Sequence, residues 1–102
     1  MKQRSVITVE VSPGELLDRI TTIVASASDR RDQGFQALRK ALGYGWSVAV
    51  AAYPDSGKPV FDGWLSSQDK DVRWIMKENL KKNRLIGMDA AWVGRCVAKL
   101  GQ

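Results

Sequence analysis

Apolar residues return every three or four positions along most of this chain, and the interruptions fall at Ser, Asp, Gly and Pro. That rhythm predicts amphipathic helices joined by short turns. The first helix is the best signalled. Ser12, Pro13 and Glu15 make a capping-box start, and Val11 and Leu16 stand at the two positions of a hydrophobic staple. Leu16, Leu17, Ile20, Ile23, Val24 and Ala27 continue the pattern, so helix one is expected over about residues 13–27. The segment Ser26 to Asp29 then punctuates the chain and supplies the cap of a second helix. Its apolar face is Phe35, Leu38, Ala41 and Leu42, with Arg31, Arg39 and Lys40 off that face.

Gly43 and Gly45 are expected to end or bend helix two. Residues 46–53 are almost wholly apolar and by periodicity alone suit either a buried strand or a buried helix. Their alanines and helical neighbours favour a short third helix, stopped by Pro54. Asp55-Ser56-Gly57 reads as a turn, and Pro59 as the first turn of helix four, whose face is Val60, Phe61, Trp64 and Leu65. Asp69 caps helix five, with Val72, Ile75, Met76 and Leu80 inward and Glu78–Lys82 as an i,i+4 ion pair. Asp89 caps helix six, where Met88 and Val93 form a second staple. Val93, Cys96, Val97 and Leu100 face inward, and Gly101 suits the C-terminal cap. Ahead of all this, residues 6–11 alternate as VITVEV, an edge strand or an extended arm, with no second convincing strand to pair it.

Composition narrows the chemistry. The 102 residues suffice for one modest core. There is no histidine and one cysteine, Cys96. That removes Ser-His-Asp and Cys-His nucleophilic sets and the usual zinc ligand sets, leaving open a carboxylate-only or lysine-based site, for which no motif stands out; no catalytic residue, cofactor or metal is expected. The N-terminal apolar run stops at Glu10, about half a signal-peptide core. No stretch approaches the roughly 20 apolar residues of a membrane span, so a cytoplasmic chain without membrane contact is expected. The net charge of +5 is unevenly placed. Residues 1–72 carry nine basic and nine acidic side chains, whereas residues 73–102 carry seven basic ones against Glu78 and Asp89.

The stretch WLSSQDKDVRWIMKENLKK (residues 64–82) resembles the HEAT-repeat pattern, two antiparallel helices meeting at an Asp-rich turn. The resemblance implies that Asp69 caps the second helix, Val72 is buried, Arg73 packs across neighbouring repeats and Leu80 closes the inner face. Residues 13–42 look like a looser copy that departs from the pattern, with Asp32 where the Val–Arg pair would start. Residues 43–93 also resemble the C-terminal part of bacterial HEAT-repeat-containing proteins. Over residues 13–100 the implied architecture is all-α: about six helices as antiparallel hairpins stacked in a short right-handed superhelix. The N-terminal arm (residues 1–11) would precede this domain (residues 12–102). Such stacks serve as scaffolds for protein contacts and occasionally for nucleic acid.

Lys70, Arg73, Lys77, Lys81 and Arg84 recur at helical spacing as one basic stripe, with Lys82 beside it. A solvated helix back explains such a stripe; so does contact with an acidic partner. Of the four tryptophans, Trp46, Trp64 and Trp92 read as packing residues, while Trp74 lies off the Ile75/Met76/Leu80 face. It is expected to be partly exposed or to pack on helix three or six, as an interface anchor beside Arg73. Cys96 reads as a buried, inert thiol. Asp55, Asp62 and Asp89 are explained by turns and caps. Gly43-Tyr44-Gly45 and Asp55-Ser56-Gly57-Lys58 lack the strand and spacing of phosphate loops. The function expected is a non-catalytic module for protein–protein interaction or self-association. The alternative is phosphate-backbone binding through the basic face at about residues 70–84.

Overall fold

The computed structural model describes residues 12–101, and among them the chain forms six helices and no strand. These are α1 (Pro13–Ser26), α2 (Gln33–Ala52), α3 (Pro54–Trp64), α4 (Lys70–Leu80), α5 (Asn83–Met88) and α6 (Ala90–Leu100). The expected VITVEV strand or arm and the Val11–Leu16 staple lie outside the described residues.

The capping box at α1 forms as its sequence requires, Ser12 Oγ accepting from the Glu15 N–H and Glu15 accepting from the Ser12 N–H. Asp32, not the 26–29 segment, caps α2 by accepting from the Phe35 N–H at 3.1 Å. Asp69 and Asp89 cap α4 and α6.

The central correction concerns α2, which runs unbroken through Gly43 and Gly45, so the expected helices two and three are one element. It lies against α1, α3, α4 and α5, and its continuity makes it the spine of the molecule. Both Gly43 and Gly57 serve close packing rather than chain reversal. A Cβ at Gly43 would lie 3.1 Å from Trp74 Cζ3, and one at Gly57 would lie 3.1 Å from Val50 Cα. The would-be turn at 55–57 is therefore the first part of α3, which starts at Pro54 and contains Pro59 in its interior. The count of six is kept by α5, which the apolar pattern does not announce because only Leu85 of its six residues is buried.

The core joins Val24 of α1, Leu42, Trp46 and Val50 of α2, Phe61 and Leu65, the inward face of α4, and Trp92, Cys96 and Leu100 of α6. Trp46 and Phe61 meet edge to face at 5.7 Å, and Phe61 meets Trp92 at 5.5 Å, linking α2, α3 and α6 through three aromatic rings. Trp46 and Trp64 each place their indole N–H on α1, at Thr21 Oγ1 (3.0 Å) and Asp18 Oδ1 (2.8 Å). Ala41, expected on the inner face, is exposed on the outer side of α2. Three larger residues expected inside are also open: Leu16 and Ile23 of α1 and Val97 of α6, at 52, 61 and 49% exposure. Each lies at the margin of its helix's apolar arc, and no further element covers that margin among the described residues.

One buried polar contact fixes α4 on α2. Asn79 is fully buried; its Nδ2 donates to the carbonyls of Leu42 (2.8 Å) and Ile75 (2.7 Å), and its Oδ1 accepts from the Ser47 N–H (2.8 Å). Removing such an amide forfeits three buried hydrogen bonds, each worth about 0.5–1.5 kcal/mol net. Asn79→Ala is therefore expected to lower unfolding free energy in urea by about 3 kcal/mol, and a loss below about 1 kcal/mol would contradict this role.

Candidate functional site

Asp71 stands in the first turn of α4 with 7% of its surface exposed. A carboxylate there needs cationic partners. Arg39 Nε of α2 donates to it at 2.7 Å, and Arg30 Nη1, from the α1–α2 turn, donates at 2.7 Å. Arg30 also grips Asp69 at 2.6 Å, and it caps the end of α1 by donating to the carbonyls of Ala27 and Ala25. Burial disfavours the Asp71 charge, but the hydrogen bonds from Arg30 and Arg39 outweigh it and hold the carboxyl below its ordinary value of 3.8.

That pairing fixes Arg39 over Trp74, with the guanidinium carbon 3.8 Å from the ring centroid. The indole edge rests on Gly43 of α2. Trp74 is thus half-buried, as expected, but against the middle of α2 near Gly43 rather than against residues 46–53 or α6. Beside it runs an open groove of about 550 Å³, floored by Ala37, Gly43 and Trp74 and walled by Tyr44, Lys40 and Lys82.

The groove opens onto an uncovered apolar stripe of α2. Ala37, Ala41, Tyr44, Val48 and Ala52 sit at i, i+4, i+7, i+11 and i+15, and all are exposed. Tyr44 and Val48 keep 54 and 48% of their surface. This is a second apolar phase on the helix whose first phase fills the core.

The basic stripe is split by the fold. Lys70 is exposed at the α4 start beside Arg30 and Arg31. Arg73 Nη2 donates to the Leu100 carbonyl at 2.6 Å, neutralising the C-terminal end of α6. Lys77 and Lys81 border a small hollow with Leu80, Val97 and Leu100, at the C-terminal ends of α4 and α6, where helix dipoles favour cations. Lys81 pairs with Glu78 at 2.8 Å, in place of the expected Glu78–Lys82 pair, and that hydrogen bond holds the Glu78 carboxyl below its ordinary value. Arg84 reaches back to Ser47 Oγ of α2 at 2.9 Å, one turn beyond Gly43. Of the six interaction candidates, Trp74 and Arg84 therefore gather along α2, while Lys70, Arg73, Lys77 and Lys81 face elsewhere.

Lys40, Tyr44 and the outer α2 stripe were not singled out from the sequence. The signal was present in the Ala37–Ala52 spacing, but a helix broken at Gly43 hides it. Cys96 is buried beside Asp62, with Sγ 3.5 Å from Oδ1. Burial first, then the Asp62 carboxylate, pushes its thiol up to about 12. No cluster of acidic or cysteine side chains among the described residues has metal-site geometry, and no described helix is long and apolar enough to cross a membrane. Compared with family models, with curated proteins and with solved structures, the chain matches none.

Because the folded Asp71 carboxyl titrates below its ordinary value, its contribution is fully present above that value and is lost as pH falls through the depressed one. Asp71→Asn is expected to cost about 2–4 kcal/mol at neutral pH. The gap from the unsubstituted protein should narrow below pH 3.8 in urea titrations; a constant gap would contradict the ion-pair account. A thiol near 12 leaves roughly one in ten thousand ionised at pH 8. Ellman's reagent should therefore label Cys96 only on unfolding, and rapid native labelling would refute this.

Proposed function

We propose that this chain is a non-catalytic helical module that binds a protein partner through the groove between α2 and α4. The observation that carries the reading is the outer stripe of α2 next to a half-buried tryptophan. A long central helix exposes Tyr44 and Val48 in phase, beside Trp74 held by Arg39. Exposed apolar residues scattered singly need no explanation, but an ordered run rimmed by polar side chains marks a recognition surface. The pre-set Arg39–Trp74 stack lowers the ordering cost of binding.

The resemblance to HEAT repeats supports the same reading and supplies its architecture, a short stack of helical hairpins. At the positions carrying that resemblance, Asp69 caps α4, Val72 and Leu80 are buried, and Arg73 reaches the neighbouring α6. Stacked hairpins present successive helices side by side as an extended contact face.

Affinity capture from a native lysate with quantitative mass spectrometry tests the reading when run beside an Ala41→Glu/Val48→Glu variant. Both positions are exposed, so thermal unfolding should shift little. The expected outcome is a specific protein retained by the unsubstituted chain and reduced at least about tenfold with the variant. Identical retention by both proteins would overturn the assignment of this face.

A further inference from the structure

The charge around the groove says what kind of partner it takes. Among the described residues, Lys40, Lys82 and Arg84 make no ion pair. Lys40 and Lys82 stand on the groove wall, and Arg84 spends its hydrogen bond on a neutral hydroxyl one turn further along α2. The acidic side chains nearby hydrogen-bond other cations. Glu78, the acidic residue on the wall, is bound by Lys81, and Asp71 behind the tryptophan is held by Arg30 and Arg39. The surface is thus an apolar strip of Ala37, Ala41, Tyr44 and Val48 with a net cationic border along its α4–α5 side, where Lys40, Lys82 and Arg84 outnumber Glu78, whose carboxylate hydrogen-bonds Lys81 and also attracts Lys82.

We infer that the occupant is an acidic amphipathic helix of a partner protein, its apolar stripe laid along α2 and its carboxylates on Lys40, Lys82 and Arg84. This rests on the binding-module reading above and names its partner. From Ala37 to Val48 the strip is about 16 Å long at 1.5 Å per residue, long enough for about three turns of a docked helix and so for its anchors at i, i+3 or i+4, and i+7, which span about two. The small side chains at Ala37 and Ala41 let a partner helix approach closely, and Tyr44 offers a flat anchoring surface at the strip's centre.

Two other occupants fit less well. In a twofold pairing through this groove, a second copy would present the same cationic border, in a chain already at +5. A single strand of nucleic acid would use aromatic faces as stacking platforms, but Arg39 already covers one face of Trp74 at 3.8 Å. The aliphatic residues Ala37, Ala41 and Val48 also offer neither bases nor phosphates a partner.

The test uses the full chain against a displayed library of 16-residue amphipathic helices whose polar flanks are randomised, with a labelled 16-mer of dT as a separate arm. Selection is expected to enrich Asp and Glu beside apolar anchors. Binding of the enriched peptides should weaken about tenfold or more in Lys40→Glu/Lys82→Glu and fall with added salt. Enrichment of neutral or basic flanks among peptides lost on Ala41→Glu/Val48→Glu overturns the acidic partner while leaving the groove as the binding face. Peptides unaffected by either double variant, or no enrichment, overturn both. Tight dT binding abolished by Lys40→Glu/Lys82→Glu replaces the helix with nucleic acid.

Discussion

The arrangement of this protein turns on a single buried amide. Asn79 spends its donors and its acceptor inside the core, joining the Leu42 carbonyl and the Ser47 N–H of α2 to the body of α4. A buried amide is tolerated only where its partners stand in fixed places, so it sets register and rotation together, which apolar contact alone specifies loosely. With Asn79 placed, Trp74 falls on Gly43 and Asp71 falls between Arg39 and Arg30. The chain leaving α4 then returns along α2 through α5, so that Arg84 meets Ser47. The groove is what remains open between helices held in this way.

Much of the positive charge has a structural purpose. Arg30 joins the end of α1 to the start of α4, and Arg73 serves the carbonyl end of α6. Lys77 and Lys81 sit where two helices end. Guanidinium suits the first two tasks because several donors in a plane reach several acceptors at once. Among the cations outside ion pairs, Lys40, Lys82 and Arg84 form a short edge beside an apolar strip, a narrower and more selective surface than a continuous basic helix face.

The candidate site was legible in part. Trp74 stood out in the sequence because it falls off the core phase of α4, and the structure leaves it half-buried. Its neighbours did not stand out, since Arg39, Lys40 and Tyr44 come from a segment whose glycines look like a helix end. Gly43 and Gly57 carry the same letter as helix breakers, yet each is there because another side chain or backbone lies 3.1 Å from where a Cβ would be. That distance belongs to the fold and has no local trace. The i,i+4 rule failed at Glu78 for a related reason: Lys81 keeps helical dihedrals while the chain turns extended at Lys82, and the nearer lysine takes the carboxylate.

By itself the sequence determined the helical class, the capped starts at Ser12, Asp69 and Asp89, and the inward faces of α4 and most of α6. Those are local properties, set by backbone capping and by apolar periodicity. Only the tertiary structure decided that residues 33–52 form one helix, that six residues after Lys82 form another, and that the basic stripe is divided among four surroundings. Helix continuity through glycine, and the partner a cation finds, depend on what packs alongside. Here those neighbours lie some 30 to 40 residues away in the chain: Trp74 from Gly43, Asn79 from Leu42 and Ser47, and Asp71 from Arg30 and Arg39.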